Sequence, residues 1–252
     1  MTESTRILIY NPNSSKSITD GLRNILDPIK DSGIELDYES GPSSAPTSIN
    51  DTPTSIQSSQ AGFEFLIGAD EGKSIISKYK AILICCFSDH PLVDMLRHIL
   101  PAHITIMHLL ESGLIAGLTS SRGRPIGIIT TGADMVRDID AGVAAFFGSS
   151  AKGNDRYAGC VATNLGVLQL RDPTQKEHVE NTIRQQSAEF AKRGVGAVML
   201  GCAGMAGMEN IVRKGLADYL GEKANQIAII DTAKAGLHLL TAQTRLNKEF
   251  LL

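Results

Sequence analysis

The chain has 252 residues, 42% of them hydrophobic, 20% charged and 5% aromatic, with a formal net charge of −3 at pH 7 and no tryptophan. That length supports a sizeable core, as one large domain or two small lobes. The mildly acidic balance excludes a basic nucleic-acid grip, and the few aromatics exclude a base-stacking surface.

In chain order, a strand is predicted at 6–10, running into Asn11-Pro12-Asn13-Ser14-Ser15 and a helix over 16–29. A second strand, 34–39, leads into a serine- and proline-rich stretch over 40–60, read as a loop that either flaps over a cleft or is plain surface. A helix over 54–72 follows, then a strand over 80–85 that stops at Cys86. Helix 91–100, strand 103–107, helix 109–118 and a polar turn at 120–124 complete the first half. The second half opens with strand 125–130, which runs into Thr130-Thr131-Gly132-Ala133-Asp134 and a helix over 134–147. A loop over 148–157, strand 158–162, helix 174–192 and strand 195–200 come next, the last stopping at Gly201-Cys202. Helix 206–220, strand 226–230 and helix 232–247 close the chain.

This alternation predicts an α/β fold of parallel strands with helices on both faces. The halves match: each has a polar turn after its first strand and a cysteine after its third. The expectation is therefore two pseudo-symmetric lobes, each a mainly parallel sheet flanked by helices, with a cleft between them. They are placed at 1–119, carrying Cys86, and 120–230, carrying Cys202, with 231–252 forming a C-terminal helix that packs back on the first lobe. No apolar run reaches the roughly 18 residues of a membrane span, so no membrane association is expected. The opening Met-Thr-Glu-Ser-Thr-Arg has no apolar signal core, which points to a cytoplasmic protein. In that compartment the four cysteines (Cys85, Cys86, Cys160 and Cys202) are thiols.

A cysteine at the end of a buried strand is most often a small core residue. Cys85 and Cys160 are assigned to the core on that ground. Cys86 and Cys202 stand between a strand and a helix start, where free N–H groups and the helix dipole favour an anion and are expected to lower a thiol pKa. Two such thiols across a cleft suit two-base proton transfer at a carbon acid. The turns after them, Phe87-Ser88 and Ala203-Gly204, offer backbone N–H groups to an enolate or ring carbonyl. Asn13, Thr130 and Thr131 are either helix caps or ligand contacts. The six histidines show no zinc spacing, so no metal and no cofactor is expected. His90 and Glu111 are read either as groups near Cys86 or as ordinary helix-start residues. A small-molecule substrate, no nucleic-acid partner and possible homo-oligomerisation complete the expectation. A two-lobed binding protein and a thiol redox protein are the competing readings, though the latter lacks a Cys-x-x-Cys motif.

These residues resemble the aspartate/glutamate/hydantoin racemase superfamily, and most closely its hydantoin and allantoin racemase branch, fungal members especially. The likeness spans nearly the whole chain. It rests on Asn11-Pro12-Asn13-Ser14-Ser15, Gly41-Pro42-Ser43-Ser44, Cys86-Phe87-Ser88-Asp89, Glu111, Thr130-Thr131-Gly132, Leu200-Gly201-Cys202-Ala203-Gly204-Met205 and Ile230-Asp231. It implies a cofactor-independent racemase in which Cys86 and Cys202 are the acid/base pair, with Ser44 joining the substrate contacts. One run departs from it: Asp89-His90-Pro91-Leu92 stands where bacterial hydantoin racemases carry Asp-Pro-Gly. That departure bears on substrate choice rather than on thiol chemistry. The superfamily also includes amino-acid racemases, maleate isomerases and arylmalonate decarboxylases, and such other member chemistry is the alternative that the resemblance implies. The absence of an arginine from these motifs favours a hydantoin-like ring over a free amino acid.

Overall fold

The computed structural model describes residues 4–68, 75–148 and 153–251. It contains two four-stranded parallel sheets of identical topology. The first is built from β1 (Thr5–Asn11), β2 (Ile34–Ser40), β3 (Ala81–Ile84) and β4 (Thr105–His108), in the order β2-β1-β3-β4. The second is built from β5 (Ile126–Thr130), β6 (Tyr157–Ala162), β7 (Ala197–Leu200) and β8 (Ala228–Asp231), in the order β6-β5-β7-β8. Helices α1 (Lys16–Leu26), α2 (Thr52–Ile67), α3 (Pro91–Ile99) and α4 (Leu109–Ser120) follow the strands of the first half. Helices α5 (Asp134–Phe147), α6 (Lys176–Lys192), α7 (Glu209–Leu220) and α8 (Thr232–Phe250) follow those of the second. The α/β class and the two-lobed plan are as the sequence predicts.

Side chains alternate along each strand, so every central strand feeds two cores. Ile7, Ile9, Ala81 and Leu83 of the first sheet, with Ile126, Ile128 and Met199 of the second, enter one shared core between the lobes. The opposite parity, Leu8, Tyr10, Ile82 and Ile84, packs under α2 and α3. Ile129, Val198 and Leu200 pack under α6 and α7. Helices α4 and α8 cross over. Gly113 and Gly117 of α4 lie against Met199 and Ile126 of the second sheet, whereas Gly236 of α8 lies against Leu83 of the first. Asn247 of α8 donates to the carbonyl of His103 at 3.0 Å and to Thr105 Oγ1 at 2.9 Å.

Two expectations change, and parts of two others fall outside the described residues. The 40–60 stretch is irregular only as far as residue 51. There Asp51 closes a capping box with Thr54, and Pro53 sits in the first turn, so α2 starts inside the presumed loop. The 69–72 end of the helix predicted over 54–72, and 149–152 of the loop predicted over 148–157, lie outside the described residues. Cys160, assigned to the core, is only half-buried, because β6 is the edge strand of its sheet.

Candidate active site

The carboxyl ends of the two sheets face one cavity, as expected of parallel α/β sheets. It spans about 440 Å³ including its open mouth. Cys86 and Phe87 border it from the first lobe, and Gly201, Cys202 and Ala203 from the second. Asn13, Thr130 and Thr131 reach it from the ends of β1 and β5. Ile18, Ile49, Met135 and Val167 supply apolar wall, and Cys85 joins the floor while remaining part of the shared core. No charged side chain lines the cavity among the described residues.

The polar residues at the strand ends are not used up in capping. Ser15 caps α1 without a side-chain hydrogen bond, and α5 starts at Ala133, which has none to give. Thr130 Oγ1 instead donates to the carbonyl of Gly201 at 3.0 Å, tying the end of β5 to the Cys202 turn. Asn13 Oδ1 accepts from Asn11 Nδ2 and from the N–H of Ser15, both at 2.9 Å, which leaves its amide N–H group for the cavity. Gly201 has to be glycine: a Cβ there would sit 2.7 Å from the carbonyl oxygen of Ile129. This close approach brings Cys202 to the rim of the sheet.

The two sulfurs have different surroundings. Cys86 Sγ lies 3.4 Å from Ser88 Oγ and is nearly sealed from solvent. Cys202 Sγ accepts the N–H of Gly204 at 3.4 Å, with the Thr131 hydroxyl and the Met205 N–H also favouring its anion. The sequence-based expectation of lowered pKa values does not hold in the empty site. Burial dominates, pushing the Cys86 thiol up to about 12 and raising Cys202 as well, against the opposing hydrogen bonds. Each thiolate also disfavours the other, since Cys202 raises Cys86 across the cavity.

Of the residues named from sequence, Ser44, Ser88 and Gly204 do not line the cavity, and Ser44 lies away from the sulfurs as well. The Pro42–Ala45 turn closes through Ala45 N–H to Pro42 O at 2.8 Å and leaves Ser44 exposed at its tip. The turn docks by its other side. Gly41 N–H donates to the carbonyls of Asn11 and Asn13, and a Cβ on Gly41 would lie 2.6 Å from Pro12 O. Ser88 and Gly204 touch the sulfurs but do not line the cavity. His90 is buried, not exposed: Ser58 Oγ lies 3.0 Å from Nε2 and Ser59 Oγ 3.3 Å from Nδ1, and burial lowers its pKa to about 3. Glu111 pairs with Arg97 at 2.8 Å, away from the cavity. Ile49, Met135 and Val167 went unseen in the sequence. The only trace of Ile49 is that it is the one large aliphatic residue between Gly41 and Asp51.

Two equivalent α/β lobes, each presenting a thiol at the carboxyl end of its third strand, define a two-lobed, two-cysteine protein. The chain belongs to the Asp/Glu/Hydantoin racemase family, which it matches over residues 7–240. Protein DCG1 of Saccharomyces cerevisiae is 30% identical, over 96% of this chain and 97% of that protein. Among solved structures, the allantoin racemase from Pseudomonas fluorescens is similar with a TM-score of 0.78 at 18% identity, covering 96% of this chain and 92% of that one. The allantoin racemase from Klebsiella pneumoniae gives 0.77 at 21% identity, covering 97% and 89%. Glutamate racemases share the fold with lower scores.

Proposed function

We propose that the protein is a racemase of a hydantoin-like ring, allantoin or a 5-substituted hydantoin, working through Cys86 and Cys202. The observation that carries this reading is that one cavity is bordered by a thiol from each lobe and, among the described residues, by no charged side chain. A proton between two amide-like groups is acidic enough for a thiolate to remove. One sulfur takes it from one face of the ring, and the opposite thiol delivers a proton to the other face. The enolate oxygen formed between these steps requires N–H donors, which the Asn13 amide and the backbone of the Cys86 and Cys202 turns supply.

A free amino acid would bring an α-carboxylate into the cavity, where no arginine or lysine among the described residues meets it. That favours the ring over glutamate or aspartate. The chemistry needs only the two thiols, and no group of three or more His, Cys, Asp or Glu side chains suited to a metal occurs among the described residues. The test is chiral chromatography of single enantiomers of allantoin and of 5-substituted hydantoins, incubated with protein treated with a chelator. Conversion to the racemate is expected. No conversion of any ring, or activity restored only by one added metal, would overturn the reading.

A further inference from the structure

Arg171 belongs to no motif and lines no part of the cavity, yet it lies directly behind the Cys202 turn. It ends the short 3-10 turn Gln169–Arg171, and its Nη2 donates at 2.8 Å to the carbonyl of Ala206, which closes the turn begun at Cys202. The guanidinium lies flat on α1 at Gly21. A Cβ on Gly21 would be 3.3 Å from Cζ and from Nη2, and 3.4 Å from Nε. Glycine inside a helix is unfavourable, and here it makes the room that the guanidinium occupies.

The anomaly is the counter-charge. No carboxylate lies within ion-pair distance of Arg171 among the described residues, and its Nε is buried without a partner. A largely buried cation without an anion is unfavourable. Asp231 is the carboxylate whose charge acts on it, but that carboxylate accepts the N–H groups of Gly207, Ala233 and Lys234. The remaining group that can become an anion beside Arg171 is the Cys202 thiol.

We propose that Arg171 is a positioning residue: its guanidinium is the counter-ion that makes Cys202, rather than Cys86, the more easily ionised of the two thiols. The inference rests on the two-thiol reading above. Cys202 has the N–H of Gly204, the Thr131 hydroxyl and this cation around it, whereas Cys86 has the Ser88 hydroxyl and the Phe87 N–H and no cation. Cys202 is therefore the first of the two thiols to become a base as the pH rises, with Cys86 still holding its proton. The other charged groups nearby do not compete. Asp20 and Arg23 of α1 are exposed, Asp172 caps Thr174, and Glu209 pairs with Lys234 beside Asp231.

The test is site-resolved alkylation by iodoacetamide in the absence of substrate, from about pH 6 to about pH 10, with each cysteine followed by peptide mass spectrometry. The midpoint of each pH profile is read, because accessibility changes rates but not midpoints. In the parent, Cys202 is expected to titrate at lower pH than Cys86, whose profile is expected to be still rising at the top of the range. In Arg171→Gln the Cys202 midpoint is expected to rise by about one unit, a tenfold loss of thiolate below it, with Cys86 unmoved and Arg171→Lys close to the parent. A Cys202 midpoint unchanged in Arg171→Gln overturns the proposal. So does Cys86 titrating before Cys202 in the parent, an ordering that needs no variant to fold. Racemisation is not used in this readout, so an inactive protein with the expected midpoints would refute the proposed reaction and leave the role of Arg171 standing.

Discussion

Substitution separates Cys86 and Cys202, the sulfurs assigned to proton transfer, from Cys85 and Cys160. A serine hydroxyl is far too weak an acid to replace a thiol as base near neutral pH, so Cys86→Ser and Cys202→Ser are each expected to lose at least about a hundredfold in racemisation. Each variant keeps one working thiol and is expected to exchange the substrate C–H with deuterium from one face only, with opposite enantiomers exchanging in the two. Cys85→Ser, whose side chain already points at the carbonyl of Leu83 at 3.7 Å, and Cys160→Ser are expected to stay active. Chiral chromatography and deuterium incorporation check all four. His90 gives a second expectation at this scale. Its folded pKa is lowered from 6.5 to about 3, so below 6.5 the unfolded chain takes up a proton that the folded chain refuses. Its contribution to stability is complete above 6.5 and is lost progressively as the pH falls toward 3. Denaturant midpoints measured across that window should fall in the parent and fall less steeply in His90→Gln, which starts from a lower stability.

The segment between β2 and α2 closes one wall of the cavity. Ile49 is buried there and lines it, and Thr52 Oγ1 at the start of α2 donates to Asp138 Oδ2 of α5 at 2.7 Å, linking the two lobes beside the mouth. Ile49→Ala removes apolar wall without touching a sulfur. It is expected to raise the rate on hydantoins with bulky 5-substituents relative to small ones, read as the ratio of kcat/KM values, and to cost about 1–3 kcal/mol in stability given the mouth's freedom to relax. The main elements of this fold were legible in sequence because strands such as Ile82-Leu83-Ile84 are aliphatic on both faces and the helices between them are amphipathic. Cys86, Cys202, Thr130 and Thr131 were legible as candidate site residues because strand carboxyl ends converge in such folds. Ile49 was not, since one isoleucine among serines has no periodicity. Nor was Arg171, whose meaning depends on Gly21 some 150 residues earlier in the chain. The direction of the thiol shifts was misread for a related reason: local turn geometry shows the N–H donors, but only the assembled cavity shows how completely burial opposes them.

At the scale of the molecule, the exchange of α4 and α8 matters most. Each helix follows the last strand of one sheet and covers the other, starting from equivalent caps: His108 Nδ1 accepts the N–H of Glu111 at 3.1 Å, and Asp231 Oδ1 accepts that of Ala233 at 3.0 Å. The two helices are also joined directly, with Ser112 Oγ donating to the carbonyl of Thr232 at 3.0 Å. Local sequence cannot reveal this, because an amphipathic helix shows that it needs a sheet but not which one. The consequence is that neither half has a complete core of its own. Residues 1–119 alone would bare Leu83 on the sheet and the face of α4 that packs on Met199 and Ile126, all of them fully buried in the intact chain. We therefore expect the fragments 1–119 and 120–252 each to be unfolded or molten when expressed singly, with dye-binding apolar surface and no near-ultraviolet circular dichroism. Mixed, they should recover native circular dichroism, since the break falls at the exposed C-terminal end of α4. The intact chain should unfold in one transition that coincides by fluorescence and circular dichroism. Gly236→Val supplies the matching point substitution. Even the first carbon of its side chain would sit 2.6 Å from Leu83 Cδ1, so it should lower the stability of both lobes together, by about 1–3 kcal/mol or more. Two separate transitions, or a cooperatively folded 1–119 fragment, would show that the shared core does not couple the lobes.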